Sequence, residues 1–306
     1  MRRLPISELF HHHMRASNQP LVSVVVATRN NAATLDRMLS SIRDQTYPNV
    51  ELIVVDNSST DESVSIAKRH GARVVTWGPE RTAQVNHGVS VANGKYVYYT
   101  GGDIVVDADF LSEAVGASET EGYDAIYLNV VTRIEHPNFW QRGRTFERTC
   151  YYKVPSASAA RFYRRGVFLA LGGLDEGVSA IADDYDFQYR LDREGFRTGL
   201  IDSGENMVSE YDGVAIIVKR ALYYGWQYGQ LRKKSSAEFR QVYRTVRPQI
   251  WNAIRQRRGD WTSVLAFFTY KFLQTTFGAV GAGLEFLSRG SPRVEGILYR
   301  LNYGRH

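Results

Sequence analysis

The chain has 306 residues, 43% hydrophobic and 12% aromatic, which is enough for a sizeable core and excludes a disordered or low-complexity chain. Its single cysteine, Cys150, excludes an internal disulfide and fits a reducing compartment. A net charge of +6 permits nucleic acid, anionic lipid or phosphate partners without choosing among them.

Residues 1–20, MRRLPISELFHHHMRASNQP, lack the long apolar core of a secretion signal and read as a polar lead-in, histidines included. Leu21–Ala27 is a near-continuous β-branched run, hence a buried strand of the parallel type. After the polar turn Thr28-Arg29-Asn30, Leu35, Met38, Leu39 and Ile42 fall at helical spacing, and Tyr47-Pro48-Asn49 ends that helix. Glu51–Val55 predicts a second buried strand ending at Asp56. Ser59-Thr60-Asp61-Glu62 has the spacing of a capping box and predicts a second helix, closed by Gly71. A third strand is predicted at Arg73–Trp77 and a third helix over 81–92. The aromatic run Tyr96–Tyr99 then reads as a strand that stops at Thr100-Gly101-Gly102, with Asp103 just past its end. This alternation of strand and helix predicts a doubly wound α/β domain whose ligand sits outside the carboxyl ends of the strands.

Several side chains at those ends have two readings. Asp103 on its glycine turn could reach a cation that holds phosphates, or be an ordinary turn residue. Asp56 suits a ribose or base contact, or an Asx-turn. Arg81 could meet a diphosphate, or be a solvated arginine. The chain has no Gly-x-Gly-x-x-Gly after the first strand, no Gly-Lys-Ser/Thr phosphate loop, no Ser-His-Asp order and no Cys/His metal spacing. Residues 129–165, polar and rich in aromatics and arginine, read as a long functional loop. Gly172-Gly173 makes a turn. Asp183-Asp184 precede an amphipathic helix carrying Phe187 and Leu191. A carboxylate there is stabilised by the helix dipole and can accept a proton, or it can simply cap the helix.

Taken in order, VSVVVATRN, ELIVVDNSSTDES, ERTAQVNHG, ANGKYVYYTGGD, GGLDEG and ADDYDFQYRLDREGFR resemble the family 2 glycosyltransferases of the GT-A fold, over roughly Leu21 to Asp212. The resemblance implies a Rossmann-like, mixed but mostly parallel sheet with helices on both faces, and an inverting, metal-dependent transfer of a sugar from a GDP- or UDP-linked donor. It implies that Thr28, Asn30 and Asp56 hold base and ribose, and that Arg81 meets the nucleotide or its diphosphate. Gly102 and Asp103 would lie at the donor, with Asp103 the last carboxylate of the family's Asp-x-Asp motif, holding Mn²⁺ or Mg²⁺. Asp183-Asp184 fall on the acceptor-side motif, with Asp184 as the base. The sequence departs from the family at Gly101, where the first Asp of the motif is missing. It departs again at MVSEYDG, where Glu210 or Tyr211 stands in place of a histidine near the metal; the Glu210 carboxylate could still be a metal ligand.

Residues 213–260 hold 11 Lys and Arg against 2 Asp and Glu, interleaved with Tyr223, Tyr224, Trp226, Tyr228 and Trp251. Trp261 follows directly. Such a mixture suits a membrane–water interface or a single-stranded nucleic acid groove. The mostly apolar Val264–Leu287 favours the membrane, so no nucleic acid partner is expected. Lys271, Gln274, Gly278, Gly281 and Glu285 share one narrow face of that helix. The pattern predicts a small, polar stripe against protein and apolar faces against lipid, whether the helix spans, re-enters or lies in the plane; a helix buried on the catalytic domain is the other reading. The expected organisation is a lead-in (1–20), a catalytic GT-A domain (21–212) and a basic, aromatic, helical region (213–306) with its apolar helix at 264–287. The expected role is transfer to a hydroxyl acceptor, lipid-linked or glycan, at the cytoplasmic face of the cell membrane. An inactive nucleotide-sugar-binding or scaffold protein on the same fold is the alternative.

Overall fold

The computed structural model describes residues 19–132, 134, 136–152, 159–177, 183–207, 213–234, 250–251, 254–255, 260–288 and 290–303. Two compact units share the chain: Met1–Tyr127 with Ala160–Gly173 and Leu191–Ser203, and Leu128–Ala159 with Leu174–Arg190 and Gly204–His306.

The first unit is built on parallel strands. β1 (Val22–Thr28) is buried along its whole length, because it lies between β2 (Val50–Asp56) and β4 (Tyr96–Gly101) and is covered on both faces. β3 (Arg73–Thr76) pairs with β2 and completes the parallel set. β5 (Ile104–Val106), β6 (Ala125–Val131), β7 (Ala160–Arg164) and β8 (Thr198–Met207) extend the sheet to the order β3-β2-β1-β4-β7-β6-β8-β5. β7 runs antiparallel to both β4 and β6, so the sheet is mixed and mostly parallel around β1.

Helix phase follows the sequence closely. α1 (Ala32–Arg43) buries Leu35, Met38, Leu39 and Ile42, the residues spaced for one face. Gly71 ends α2 (Ser63–Arg69) with a positive φ of 73°, as a closing glycine should. α3 (Arg81–Ser90) sits close on the sheet through Gly88, where an added Cβ would run into Val25 and Val55. The expected capping box at Ser59–Glu62 is absent: Glu62 is the N-cap and makes no side-chain cap bond. Asp61 serves instead, accepting from the Ser63 N–H at 3.0 Å and from the Ala32 N–H at 2.9 Å, so one carboxylate ties down the starts of α1 and α2. α4 (Phe110–Thr120) and α6 (Arg165–Ala170) complete the described helices of this unit.

In the second unit, the stretch 129–165 is not one long loop. It contains α5 (Phe139–Tyr151), opened by a true capping box between Asn138 and Gln141, before the chain returns to the first unit at β7. α5 buries Phe146 and Cys150 against Val264 and Phe267 of α9 (Trp261–Ser288). α8 (Val214–Lys234) and α10 (Pro292–Tyr303) meet through Tyr223, Trp226 and Leu298. Trp226 is therefore a core residue, 0% exposed, and not the interfacial tryptophan its basic neighbours suggested. No helix among the described residues is long and apolar enough to cross a membrane, which removes the single-span reading of 264–287. The narrow polar stripe does face protein. Lys271 Nζ pairs with Glu147 of α5 at 2.7 Å, Gly278 lies against Gly225 of α8, and Gly281 lies against Leu222 of α8.

Candidate functional site

The register of the parallel strands sets the site. Thr28 at the end of β1 pairs with Asp56 at the end of β2, Asp56 pairs with Thr76 at the end of β3, and Ala27 pairs with Gly101 at the end of β4. Thr28, Asp56 and the Gly101-Gly102-Asp103 turn thus stand side by side at one edge of the sheet. The ladder continues past the strand ends: the Asn57 N–H donates to the Thr28 carbonyl and the Trp77 N–H to the Asp56 carbonyl, each at 3.0 Å.

Two residues that the sequence did not single out organise this edge. Gln84 of α3 is buried, and its Nε2 donates to the carbonyls of Thr28 at 3.0 Å and Val55 at 2.6 Å, joining α3 to the ends of β1 and β2. The Asn31 carboxamide oxygen accepts from the Thr28 hydroxyl at 3.1 Å and the Arg29 N–H at 3.2 Å. A Cβ added at Gly102 would lie 3.0 Å from the Asn31 Cβ, so the glycine lets the turn press against this loop. The Gln84 role leaves no local trace, since its partners are carbonyls 56 and 29 residues away, whereas Asn31 closes its own loop on Thr28 and Arg29.

Asp56 is buried and accepts from the Ser59 N–H, three residues on, at 2.9 Å and from the Ser59 hydroxyl, so its carboxylate ties down the loop after β2. Asn30 has a positive φ of 51°, and its side-chain oxygen accepts from the Thr60 N–H at 2.8 Å; it links the loops after β1 and β2. Burial would raise the Asp61 pKa, but hydrogen bonds from Ser63 and Ala32 outweigh it and hold the carboxyl below its usual range. Arg81 is the first residue of α3, following the loop after β3. Asp183 and Asp184 open α7 (Asp183–Arg193) in the second unit; Asp183 is fully buried and accepts from the Asp184 N–H at 2.8 Å, while Asp184 accepts from the Tyr185 N–H at 3.0 Å. Asp186 in the same turn pairs with Arg190 at 2.9 Å. Glu210 lies outside the described residues.

Mn²⁺ and Mg²⁺ take hard oxygen ligands and commonly combine one or two carboxylates with substrate phosphates. Asp103 offers such a carboxylate on a turn between two strand ends. A Cβ at Gly101 would sit 3.1 Å from its Oδ1, so a side chain there would crowd the carboxylate that remains. No group of three or more His, Cys, Asp and Glu gathers among the described residues. The donor set therefore fits an ion that draws its other ligands from a diphosphate and water, and not a cage made by protein alone.

The model of the family described as "Glycosyl transferase family 2" matches residues 23–174. A "PGL/p-HBAD biosynthesis glycosyltransferase" of Mycobacterium bovis is 32% identical over 180 residues, covering 56% of this chain and 69% of that protein. A "Beta-monoglucosyldiacylglycerol synthase" of Nostoc sp. is 26% identical over 197 residues, covering 56% of this chain and 41% of that protein. Among solved structures, the mannosyltransferase PcManGT from Pyrobaculum calidifontis, in complex with GDP-Man and Mn²⁺, superposes with a TM-score of 0.61 at 19% identity, covering 94% of this chain and 96% of that one.

Proposed function

Since the chain belongs to glycosyltransferase family 2, with the GT-A fold, we propose that it is a metal-dependent inverting transferase. It moves a hexose from a GDP- or UDP-linked donor to a hydroxyl on a lipid-linked or glycan acceptor at the cytoplasmic face of the membrane. In this reading residues 21–212 form the catalytic domain and 213–306 the helical region that meets the membrane. The observation that carries it is the alignment of Thr28, Asp56 and the Gly101–Asp103 turn at one sheet edge, where α/β folds receive nucleotides.

Thr28, Asn30 and Asp56 take the base and ribose, and Arg81 the diphosphate. Asp103, on its turn with Gly102, would hold Mn²⁺ or Mg²⁺, with the Glu210 carboxylate proposed as a further ligand; the ion would neutralise charge on the departing nucleoside diphosphate. Asp184 accepts the proton of the acceptor hydroxyl as its oxygen attacks the anomeric carbon. The bond from that carbon to the diphosphate oxygen breaks on the opposite face, and its electron pair leaves with the nucleotide. Asp183 holds the Asp184 main chain through the 2.8 Å bond at the start of α7. An acceptor phosphate would arrive ionised and need no base, so the paired carboxylates favour a hydroxyl. The Mn²⁺ and GDP-Man of the Pyrobaculum enzyme support the donor reading, and the diacylglycerol of the Nostoc synthase's name supports a lipid acceptor.

The test is a thermal-shift screen of GDP, UDP and their sugars with Mn²⁺ or Mg²⁺, followed by donor turnover with candidate acceptors. A nucleoside diphosphate should raise the melting temperature with metal and not with chelator. Nucleotide binding without turnover on any acceptor would favour the inactive binding protein.

A further inference from the structure

We infer that α9 lies in the plane of one leaflet, with its outer face buried among anionic phospholipids. The inference rests on the membrane reading above and names the surface and depth of contact. α9 runs for 28 residues, about 42 Å at helical rise. Its inner side is fixed to protein from end to end: Ala266 packs against Gly143, Lys271 pairs with Glu147, and Gly278 and Gly281 press on α8. Such a helix meets lipid on one side only, and no helix among the described residues is long and apolar enough to cross a membrane, so it does not span.

The outer side is one stripe. Trp261, Leu265, Phe268 and Phe272 share it at one end and Phe286 and Leu287 carry it on at the other, 43–78% exposed, with the small, uncharged Thr275, Thr276 and Ala279 exposed between them. No exposed residue of α9 is charged: its ionisable side chains, Lys271 and Glu285, are withdrawn from that face, with Glu285 2% exposed. An ordinary solvated helix carries charge on its outer side, and a large uncharged apolar face marks a contact surface.

Charge selects the occupant. Residues 213–260, which lead directly into Trp261, carry 11 Lys and Arg against 2 Asp and Glu. On α10 the exposed side chains include Arg293 and Arg300 beside Ile297 and Leu301, the basic and apolar mixture of a phospholipid interface. Two copies meeting through α9 would bring two such basic segments together, whereas an anionic leaflet is complementary to both the charge and the apolar stripe.

The experiment is flotation of the full chain with mixed phosphatidylcholine and phosphatidylglycerol vesicles, at low and high salt, beside L265E/F272E. Wild type should float at both salts, and the double variant should lose flotation at high salt by about tenfold or more, while its metal-dependent nucleotide thermal shift stays intact. Spin labels on L265C, F272C and F286C should report one common shallow depth. Flotation retained in L265E/F272E, or labels at depths differing by half a bilayer, would overturn the inference and leave the membrane reading standing. Wild type that does not float would overturn both, and a dimer in light scattering that L265E/F272E abolishes would assign the face to a second copy. Nucleotide binding and donor turnover judge the transferase reading separately in every case.

Discussion

The Thr34 hydroxyl donates a 2.8 Å hydrogen bond to the Gly102 carbonyl, fastening the first turn of α1 to the turn that carries Asp103. Asn31 packs against the same glycine, so the loop after β1 and the turn after β4 form one body. Thr34→Val removes the bond and keeps the shape. A hydrogen bond of this kind contributes about 1 kcal/mol to stability, so the melting temperature should fall by a few degrees, and metal-dependent nucleotide affinity in titration calorimetry by up to about fivefold as the turn loosens. Unchanged affinity would mean that the turn is ordered without α1.

Asp103→Asn should abolish transfer and weaken nucleotide binding only when metal is present. The amide keeps the size of the side chain but loses the charge that a divalent cation seeks. Binding with and without chelator separates the effects: wild type should differ between the two conditions and the variant should not. Normal turnover of the variant with metal chelated would remove Asp103 from the metal role.

Asp184→Asn should lower turnover by about 10²–10⁴ while donor affinity stays near wild type, because a general base acts in the transition state. The helix start should survive, since an amide oxygen can still accept the Tyr185 N–H that Asp184 accepts at 3.0 Å. An equal loss of donor binding would mark Asp184 as a structural cap.

What was legible in the sequence was whatever depended on periodicity. Continuous apolar runs gave β1, β2 and β4 within a residue or two, and the α1 face matched residue for residue. The strand-end carboxylates followed from that. What depended on distant partners was not legible. Ser59–Glu62 looked like a local cap, but Asp61 spends an oxygen on Ala32, 29 residues away. The arginine-rich stretch around α5 looked like a loop because the apolar residues that bury it lie on α9. Trp226 looked interfacial among lysines and arginines, yet α10 covers it. Gln84 gave no signal, because it acts on main-chain carbonyls that only the fold brings near, and the contact of Asn31 with Gly102 likewise needs the fold.

The second unit should show its own acid sensitivity through Glu147. This carboxylate is buried, and it accepts from Lys271 Nζ at 2.7 Å and from the Arg144 guanidinium. Burial alone would raise its pKa, but the charges and hydrogen bonds of Lys271 and Arg144 outweigh that and bring it down to about 2. A folded-state pKa below the ordinary carboxylate value of 4.5 stabilises the fold fully above that value, and the contribution is lost as pH falls toward about 2. Urea midpoints of wild type should therefore drop between neutral pH and pH about 3 by more than those of Glu147→Gln, which has no proton to take up. Glu147→Ala should cost more at neutral pH than the roughly 0–1 kcal/mol of a surface ion pair, because it leaves the part-buried Lys271 and Arg144 without their anion. Since α9 is tied to α5 at this point, both variants should also lower vesicle flotation, Glu147→Gln less, because its one amide oxygen can still accept from one of the two cations. Identical pH profiles for wild type and Glu147→Gln would place the acid-sensitive group elsewhere.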